Sequence, residues 1–151
     1  MGALKKFKTF ISLDHKTLSL YIEAFLFLGW ARILKAFPFY KIKHLLGYHM
    51  QETSTELMTQ NRKQLKEIAI AIHVMSKYTF WESKCLVKAI AGMKMLERRN
   101  IESTLYLGSA RSTNGKMIAH AWLRSGPYYI SGAAEMQDYT VVSTFAKKNI
   151  S

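Results

Sequence analysis

The stretch WESKCLVKAIAGMKMLERRN, residues 81–100, decides how the rest of the sequence is interpreted. Its apolar residues recur at spacings of three and four, which predicts a helix with one apolar face. Ser83 is a candidate N-cap and Asn100 a candidate left-handed C-terminal residue. With Ser83 as the cap, Cys85 is the second helical residue, where unpaired N–H groups and the helix dipole favour a thiolate. Cys85 is therefore a candidate nucleophile, although a lone cysteine is more often structural.

The periodicity on either side of this helix predicts an α+β fold. Before it, apolar spacing predicts helices over 13–36, 39–46 (stopped by Gly47) and 65–76, with a polar loop over 51–61. After it, the period changes to two, and strands are expected over 104–108, 118–124, 128–131 and 139–145. We expect one domain over 1–151, with a helical, basic part (1–77) and a catalytic core (78–151). In that core the nucleophile-bearing helix packs on a small antiparallel sheet.

The predicted strand over 118–124 carries the second candidate catalytic residue. Alternation places His120 on one face with Ile118 and Trp122, whereas Ala121 and Leu123 face the other way. An imidazole beside the thiol of Cys85 takes the thiol proton and later protonates the leaving amine. The backbone N–H of Cys85 is a candidate oxyanion donor. A cysteine at the start of a helix and a histidine on a strand packed against it predict an enzyme that hydrolyses or transfers acyl groups.

Several other classes of site are not expected. The remaining histidines form no metal-ligand spacing with one another, with the cysteine or with an acid, so we predict neither a metal nor a cofactor. A single cysteine excludes an internal disulfide, and no clean signal peptide follows the basic opening. These features favour a reduced, cytoplasmic protein.

The net charge of +12 is concentrated near the N-terminus, since the only acids in residues 1–51 are Asp14 and Glu23. Such a surface attracts polyanions, acidic peptides or anionic lipid, or it is simply solvated. Without a basic-aromatic motif, nucleic acid is not expected. The helix over 13–36 is apolar around much of its circumference, but Glu23 and Arg32 interrupt it. We expect a buried or partner-facing helix, with peripheral membrane contact as the lesser alternative.

The sequence resembles the B2 proteins of lasso peptide biosynthesis over nearly its whole length. The resemblance rests on WESKCL (81–86), LERR (96–99), AHAWLR (119–124) and ISG (130–132), and on N-terminal motifs that include Phe7 to Phe10 and GWAR (29–32). It implies a papain- and transglutaminase-like fold and a cysteine peptidase that removes the leader peptide from a ribosomally made precursor. It also implies an ATP-dependent macrolactam synthetase as a downstream partner. Since we expect no fused recognition domain here, a separate leader-recognition protein is the expected partner for the basic helices.

The residue that orients His120 is left open by the sequence. The family usually has an Asp on the next strand, but here a Ser125–Gly126 loop would place Ser131 opposite His120, and a Gly126–Pro127 loop would place Ala133 there. Ser131 is one candidate third residue. Glu135 and Asp138 are the nearest acids and are the other two. Trp81, Trp122 and Lys84 are candidate residues of a substrate groove, although all three have ordinary structural explanations.

Two rival functions are compatible with these residues. The same Cys–His pair serves an acyl transferase or a transglutaminase, which differs from a peptidase in using an amine instead of water as the acceptor. A degenerate, non-catalytic module that escorts the precursor is the rival from another class. The lack of an acid opposite His120 in either register favours the escort, whereas the presence of both Cys85 and His120 favours an enzyme.

Overall fold

The computed structural model describes residues 8, 12–56 and 61–148, and its architecture is α+β, as predicted. The chain forms α1 (His15–Lys35), α2 (Phe39–Ile42), a 3₁₀ helix (Lys43–Leu46), β1 (Tyr48–His49), α3 (Arg62–Ser76), α4 (Cys85–Glu97), β2 (Ser103–Arg111), β3 (Met117–Ser125), β4 (Tyr128–Ser131), a 3₁₀ helix (Ala133–Asp138) and β5 (Thr140–Lys147). The sheet order is β1-β5-β2-β3-β4, and all its pairings are antiparallel. The motif at Phe7 to Phe10 lies outside the described residues.

The first helix begins and ends close to the predicted bounds. The side chain of Asp14 accepts a hydrogen bond from the backbone N–H of Thr17 at 3.4 Å, which makes Asp14 the N-cap. Helix α1 ends at Lys35, before the Phe37-Pro38 dipeptide that disfavours helical backbone. Its inner face is fully buried at Ala24, Leu28 and Ala31. These small and branched residues let α1 pack closely against α3 and α4.

One face of the sheet forms the core together with α4. Leu105 of β2 pairs with Leu123 of β3 and with Phe145 of β5, and all three side chains are buried. Gly92 in the middle of α4 lies so close to the sheet that a Cβ there would be 2.9 Å from Leu123 Cδ2. The predicted packing of the Cys85 helix on an antiparallel sheet is therefore confirmed.

The start of α4 differs from the prediction by one residue. Its N-cap is Lys84, no side chain caps it, and Cys85 is the first helical residue instead of the second. The predicted cap, Ser83, is wrong because its hydroxyl lies 2.9 Å from Thr79 Oγ1 and is engaged within the preceding loop. The predicted helix end is confirmed, since Asn100 has φ 57° and Ile101 N–H donates to Leu96 O at 3.0 Å.

The other face of the sheet carries a buried arginine. The guanidinium of Arg124 donates to Tyr106 Oη at 2.9 Å, to Thr53 O at 2.9 Å and to Gly126 O at 2.8 Å. The hydroxyl of Tyr106 in turn donates to Glu52. The pKa of Tyr106 is raised, mainly because the side chain is buried and secondly because of this hydrogen bond. Through these bonds Arg124 holds the segment around residues 52–54 against β2 and β3.

Candidate active site

Cys85 occupies the first position of α4 and packs, half-buried, against the core. The first hydrogen bond of the helix runs from Lys88 N–H to Lys84 O at 2.9 Å. The N–H groups of Cys85, Leu86 and Val87 precede it and therefore have no partner within the helix. Although the predicted cap was wrong, Cys85 still lies at the N-terminal, positive end of the helix dipole.

The loop before Cys85 is held by Thr79 and Trp81. Thr79 Oγ1 lies 3.0 Å from Trp81 O and 2.9 Å from Ser83 Oγ, which closes a compact turn. The indole of Trp81 packs on Phe25 of α1 with ring centroids 5.0 Å apart. Its N–H is buried and has no hydrogen-bond partner among residues 12–56 and 61–148. Trp81 thus joins α1 to the nucleophile loop, and its role in a substrate groove stays a prediction.

His120 is held in one orientation by a hydrogen bond and by stacking. Its Nε2 lies 2.8 Å from Gly132 O, and its ring centroid lies 5.7 Å from that of Trp122 and 5.0 Å from that of Tyr139. Because a carbonyl oxygen only accepts hydrogen bonds, Nε2 carries the proton. In the neutral imidazole Nδ1 is then the unprotonated nitrogen, which is the form a general base requires.

The pairing of β4 with β3 tests Ser131 as a candidate third catalytic residue. Ser125 pairs with Tyr128, so the hairpin loop is Gly126–Pro127, and a bulge then places Ser131 opposite Leu123. Ser131 therefore lies opposite Leu123 and not opposite His120, as the Ser125–Gly126 loop would have placed it. Within the described residues its buried hydroxyl has no hydrogen-bond partner, so the predicted contact with His120 is not formed.

Glu135 is the carboxylate that lies beside the histidine. Its Oε2 is 3.6 Å from His120 Nε2, the same nitrogen that binds Gly132 O. Within residues 61–148, Asp138 forms neither a hydrogen bond nor an ion pair with His120. Of the three predicted candidates, Glu135 alone is placed where it could stabilise an imidazolium.

The structure does not bring Cys85 and His120 into hydrogen-bond contact. Cys85 packs at the edge of the core that contains Ala121 and Leu123, whereas His120 lies with Trp122 on the alternate side of β3, as its sequence alternation predicted. No hydrogen bond joins the thiol to the imidazole among the described ranges 12–56 and 61–148. Because the two side chains lie on different sides of β3, direct proton transfer between them requires a rearrangement of the site. Their pairing stays a prediction.

The two other residues proposed for a substrate groove are Trp122 and Lys84. Trp122 is only 4% exposed, because it is stacked between Tyr106 and His120, so it presents no face to a peptide. Lys84 points to solvent, with its Nζ 3.8 Å from Glu82 Oε1. In the described part of the chain, no group of three His, Cys, Asp or Glu side chains is arranged to hold a metal ion.

Two residues that orient His120 were missed by the sequence reasoning. Gly132 supplies the carbonyl that binds Nε2, and Tyr139 covers the imidazole ring. Gly132 has φ 77°, which is a left-handed backbone conformation. A glycine directly after a predicted strand is a partial sequence signal for such a conformation. Tyr139 gave no comparable signal, because it reaches His120 only after the intervening 3₁₀ helix folds back.

Comparison with known families gives one match. The family model for the transglutaminase-like superfamily matches residues 28–144, which is more than half of the chain and contains both Cys85 and His120. The chain belongs to the transglutaminase-like superfamily. No curated protein and no solved structure gives a significant match.

Membership in the transglutaminase-like superfamily agrees with the observed α+β architecture and with a papain-like core. It indicates activity of the cysteine peptidase or acyl-transferase type. A cysteine at a helix N-terminus and a histidine whose Nε2 is fixed by an acceptor are the two groups that such chemistry uses.

We expect Gly132→Ala to lower the free energy of unfolding by about 2 kcal/mol or more, because it adds both strain and a collision. The new Cβ would lie 2.5 Å from Ala121 O, and the residue would keep φ 77°. Gly115→Ala is the matched control, since Gly115 has φ 82° but nothing within 4 Å of a Cβ. Urea denaturation compares the two. An equal loss of unfolding free energy in the two variants would show that the close contact of Gly132 with β3 does not matter for stability.

Proposed function

We propose that this chain is a cytoplasmic cysteine peptidase that removes the leader peptide from a ribosomally made lasso peptide precursor. The observation that carries the proposal is the 2.8 Å contact between His120 Nε2 and Gly132 O, because an acceptor there assigns the proton to Nε2 and leaves Nδ1 as the basic nitrogen. Membership in the transglutaminase-like superfamily supports the reaction type. The motifs at 81–86 and 119–124, which resemble the lasso B2 proteins, support the substrate.

The proposed reaction uses each group in turn. His120 Nδ1 takes the thiol proton of Cys85, and the thiolate attacks the scissile carbonyl carbon. The N–H groups at the start of α4 donate to the developing oxyanion. The imidazolium then protonates the leaving amine, which is the N-terminus of the core peptide, and water hydrolyses the thioester. Glu135, 3.6 Å from Nε2, stabilises the imidazolium.

The proposed partners follow from the same resemblance. They are the precursor's leader region, a separate leader-recognition protein and an ATP-dependent macrolactam synthetase that consumes the released core peptide. We propose no cofactor and no metal for the chemistry, and no nucleic acid as a partner. The domain assignment of one unit over 1–151 is also a proposal.

Mass spectrometry of the precursor peptide tests the function directly. The purified protein is incubated with precursor, with and without the recognition protein, and in water or in water containing a primary amine. We expect a hydrolytic cut at the leader–core junction that does not incorporate the amine. Incorporation of the amine would instead assign an acyl transferase. Binding of the precursor without any cut, even with the recognition protein, would assign a non-catalytic escort.

We expect Glu135→Gln to lower kcat/KM for leader cleavage by about threefold to tenfold, since an exposed carboxylate stabilises a nearby charge only modestly. The carboxylate is 61% exposed and faces the protonated nitrogen of His120. Asp138→Asn is the matched control, because it removes a neighbouring charge that does not contact His120. A larger loss in Asp138→Asn than in Glu135→Gln would reverse the assignment of the orienting acid.

A further inference from the structure

The outer face of α1 is apolar and exposed from Ile22 onward. Ile22, Leu26 and Ile33 lie along one stripe at helical spacing, and Leu26 and Ile33 are 64% and 63% exposed. Phe37, just beyond the end of the helix, is half-exposed. By length and hydropathy, α1 is the one helix among the described residues that could cross a membrane. The expectation of a buried helix thus holds only for its inner face.

The segment that follows α1 in the chain is basic and aromatic. Tyr40, Tyr48 and Met50 are exposed there, and no acidic residue occurs between Glu23 and Glu52 in the sequence. Lys41 and Lys43 are exposed in the same segment. Aromatic side chains and lysines are enriched at the headgroup level of a bilayer, and this segment has both without an acidic residue. We call this surface, made by Ile22, Leu26, Ile33 and residues 37–50, the α1 outer surface.

The inner contacts of α1 exclude a spanning arrangement without unfolding. Ala24, Leu28 and Ala31 are fully buried in the core. Glu23 accepts two hydrogen bonds from Arg99, both at 2.7 Å, and lies 3.1 Å from Arg98. Burial opposes ionisation of Glu23, but these arginines outweigh it and hold the pKa of its carboxyl below the ordinary value. The helix is therefore fixed with only one face available.

We propose that the α1 outer surface docks flat on an anionic lipid bilayer, which anchors the protein peripherally. The apolar stripe enters the interfacial region while Lys41 and Lys43 contact the headgroups. The charge pattern favours this occupant over a second copy of the chain, because two copies facing each other would bring basic surfaces together. The inference goes beyond leader cleavage and does not depend on it.

Co-sedimentation with vesicles tests the proposal on the full chain. Vesicles of phosphatidylcholine alone are compared with vesicles that contain phosphatidylglycerol, at low and high salt. We expect binding to the anionic vesicles that weakens with salt. Lys41→Glu combined with Lys43→Glu is expected to lower partitioning at least about twentyfold, since each lysine near the surface is worth roughly fivefold. Leu26→Glu combined with Ile33→Glu is expected to lower partitioning at least about tenfold.

Matched controls separate docking from general charge and hydrophobicity. Ile70→Glu replaces an exposed isoleucine of α3, and Lys116→Glu replaces an exposed lysine in the β2–β3 turn. Both are expected to partition like the wild type, and circular dichroism melts confirm that each variant is folded. A wild-type protein that stays in the supernatant with anionic vesicles overturns the proposal. Equal losses in the controls and in the α1 variants overturn it as well.

Sedimentation velocity without vesicles tests the rival occupant. A wild-type dimer that Leu26→Glu and Ile33→Glu convert to a monomer, together with no vesicle binding, would assign the α1 outer surface to a second copy. A monomer in both cases, together with the vesicle result above, supports the bilayer. Because none of these measurements uses precursor cleavage, their failure is distinguishable from failure of the proposed peptidase activity.

Discussion

We expect Cys85→Ala to lower kcat/KM for leader cleavage by about a thousandfold or more, because the proposed thioester intermediate needs the sulfur. His120→Ala is expected to cost a similar factor, since its Nδ1 is the only base that the described site supplies in a fixed tautomer. Residues that act as one unit are not additive, so the double variant should be no slower than the slower single variant. Product formation followed by mass spectrometry measures all three.

Matched controls make this result specific. His49→Ala removes an exposed histidine that stacks on Phe145, 5.0 Å between ring centroids, and reaches Ser143 at 3.5 Å. Lys84→Ala removes a side chain that is 74% exposed beside the nucleophile. Both variants should retain cleavage within about threefold of wild type, because neither group contacts the proposed reacting atoms. Cys85→Ala retaining more than a tenth of the wild-type rate would contradict the assignment of the nucleophile.

Arg124→Met is expected to lower the free energy of unfolding by about 3 kcal/mol or more, which is the typical cost of breaking a buried charged network. The guanidinium is only 4% exposed, and its loss leaves Thr53 O and Gly126 O without their donor. It also leaves the buried Tyr106 hydroxyl bonded to Glu52 alone. Urea denaturation measures the change.

The control for this prediction is Arg111→Met, at the exposed end of β2. Arg111 reaches Gly115 O at 3.3 Å from an exposed position, so its replacement should cost within about 0.5 kcal/mol. Arg124→Lys is expected to recover little, because an ammonium cannot reproduce the several directed bonds of the guanidinium. A cost below 1 kcal/mol for Arg124→Met would contradict the structural role of the network.

The fold class was predictable because the period of the hydrophobic pattern changes once along the chain. Spacings of three and four end near Asn100, whose left-handed conformation confirms the helix end, and alternation begins directly afterwards. The faces of β3 followed from the same alternation: His120 and Trp122 stack together, while Leu123 enters the core. These features depend on local sequence, which is why they could be predicted.

The errors concern features that distant or irregular contacts decide. Ser83 is well placed as a cap in sequence, but Thr79 engages its hydroxyl in the preceding loop. Ser131 was a candidate because two hairpin loops were compatible with the sequence, and a bulge between Leu123 and Arg124 shifts the register further. Bulges have no reliable sequence signature, so the position of Glu135 beside His120 could be proposed only as one of several alternatives.

The central claim is that Cys85 and His120 act as a pair, and alkylation of the thiol tests it without any substrate. Cys85 is the only cysteine, so intact mass reports its reaction with iodoacetamide unambiguously. The rate is measured at pH 6 and pH 9 in the wild type and in His120→Ala. If the imidazolium stabilises the thiolate, the wild type keeps at least about tenfold more of its pH 9 rate at pH 6 than the variant does. The same pH dependence in both proteins would contradict the pairing.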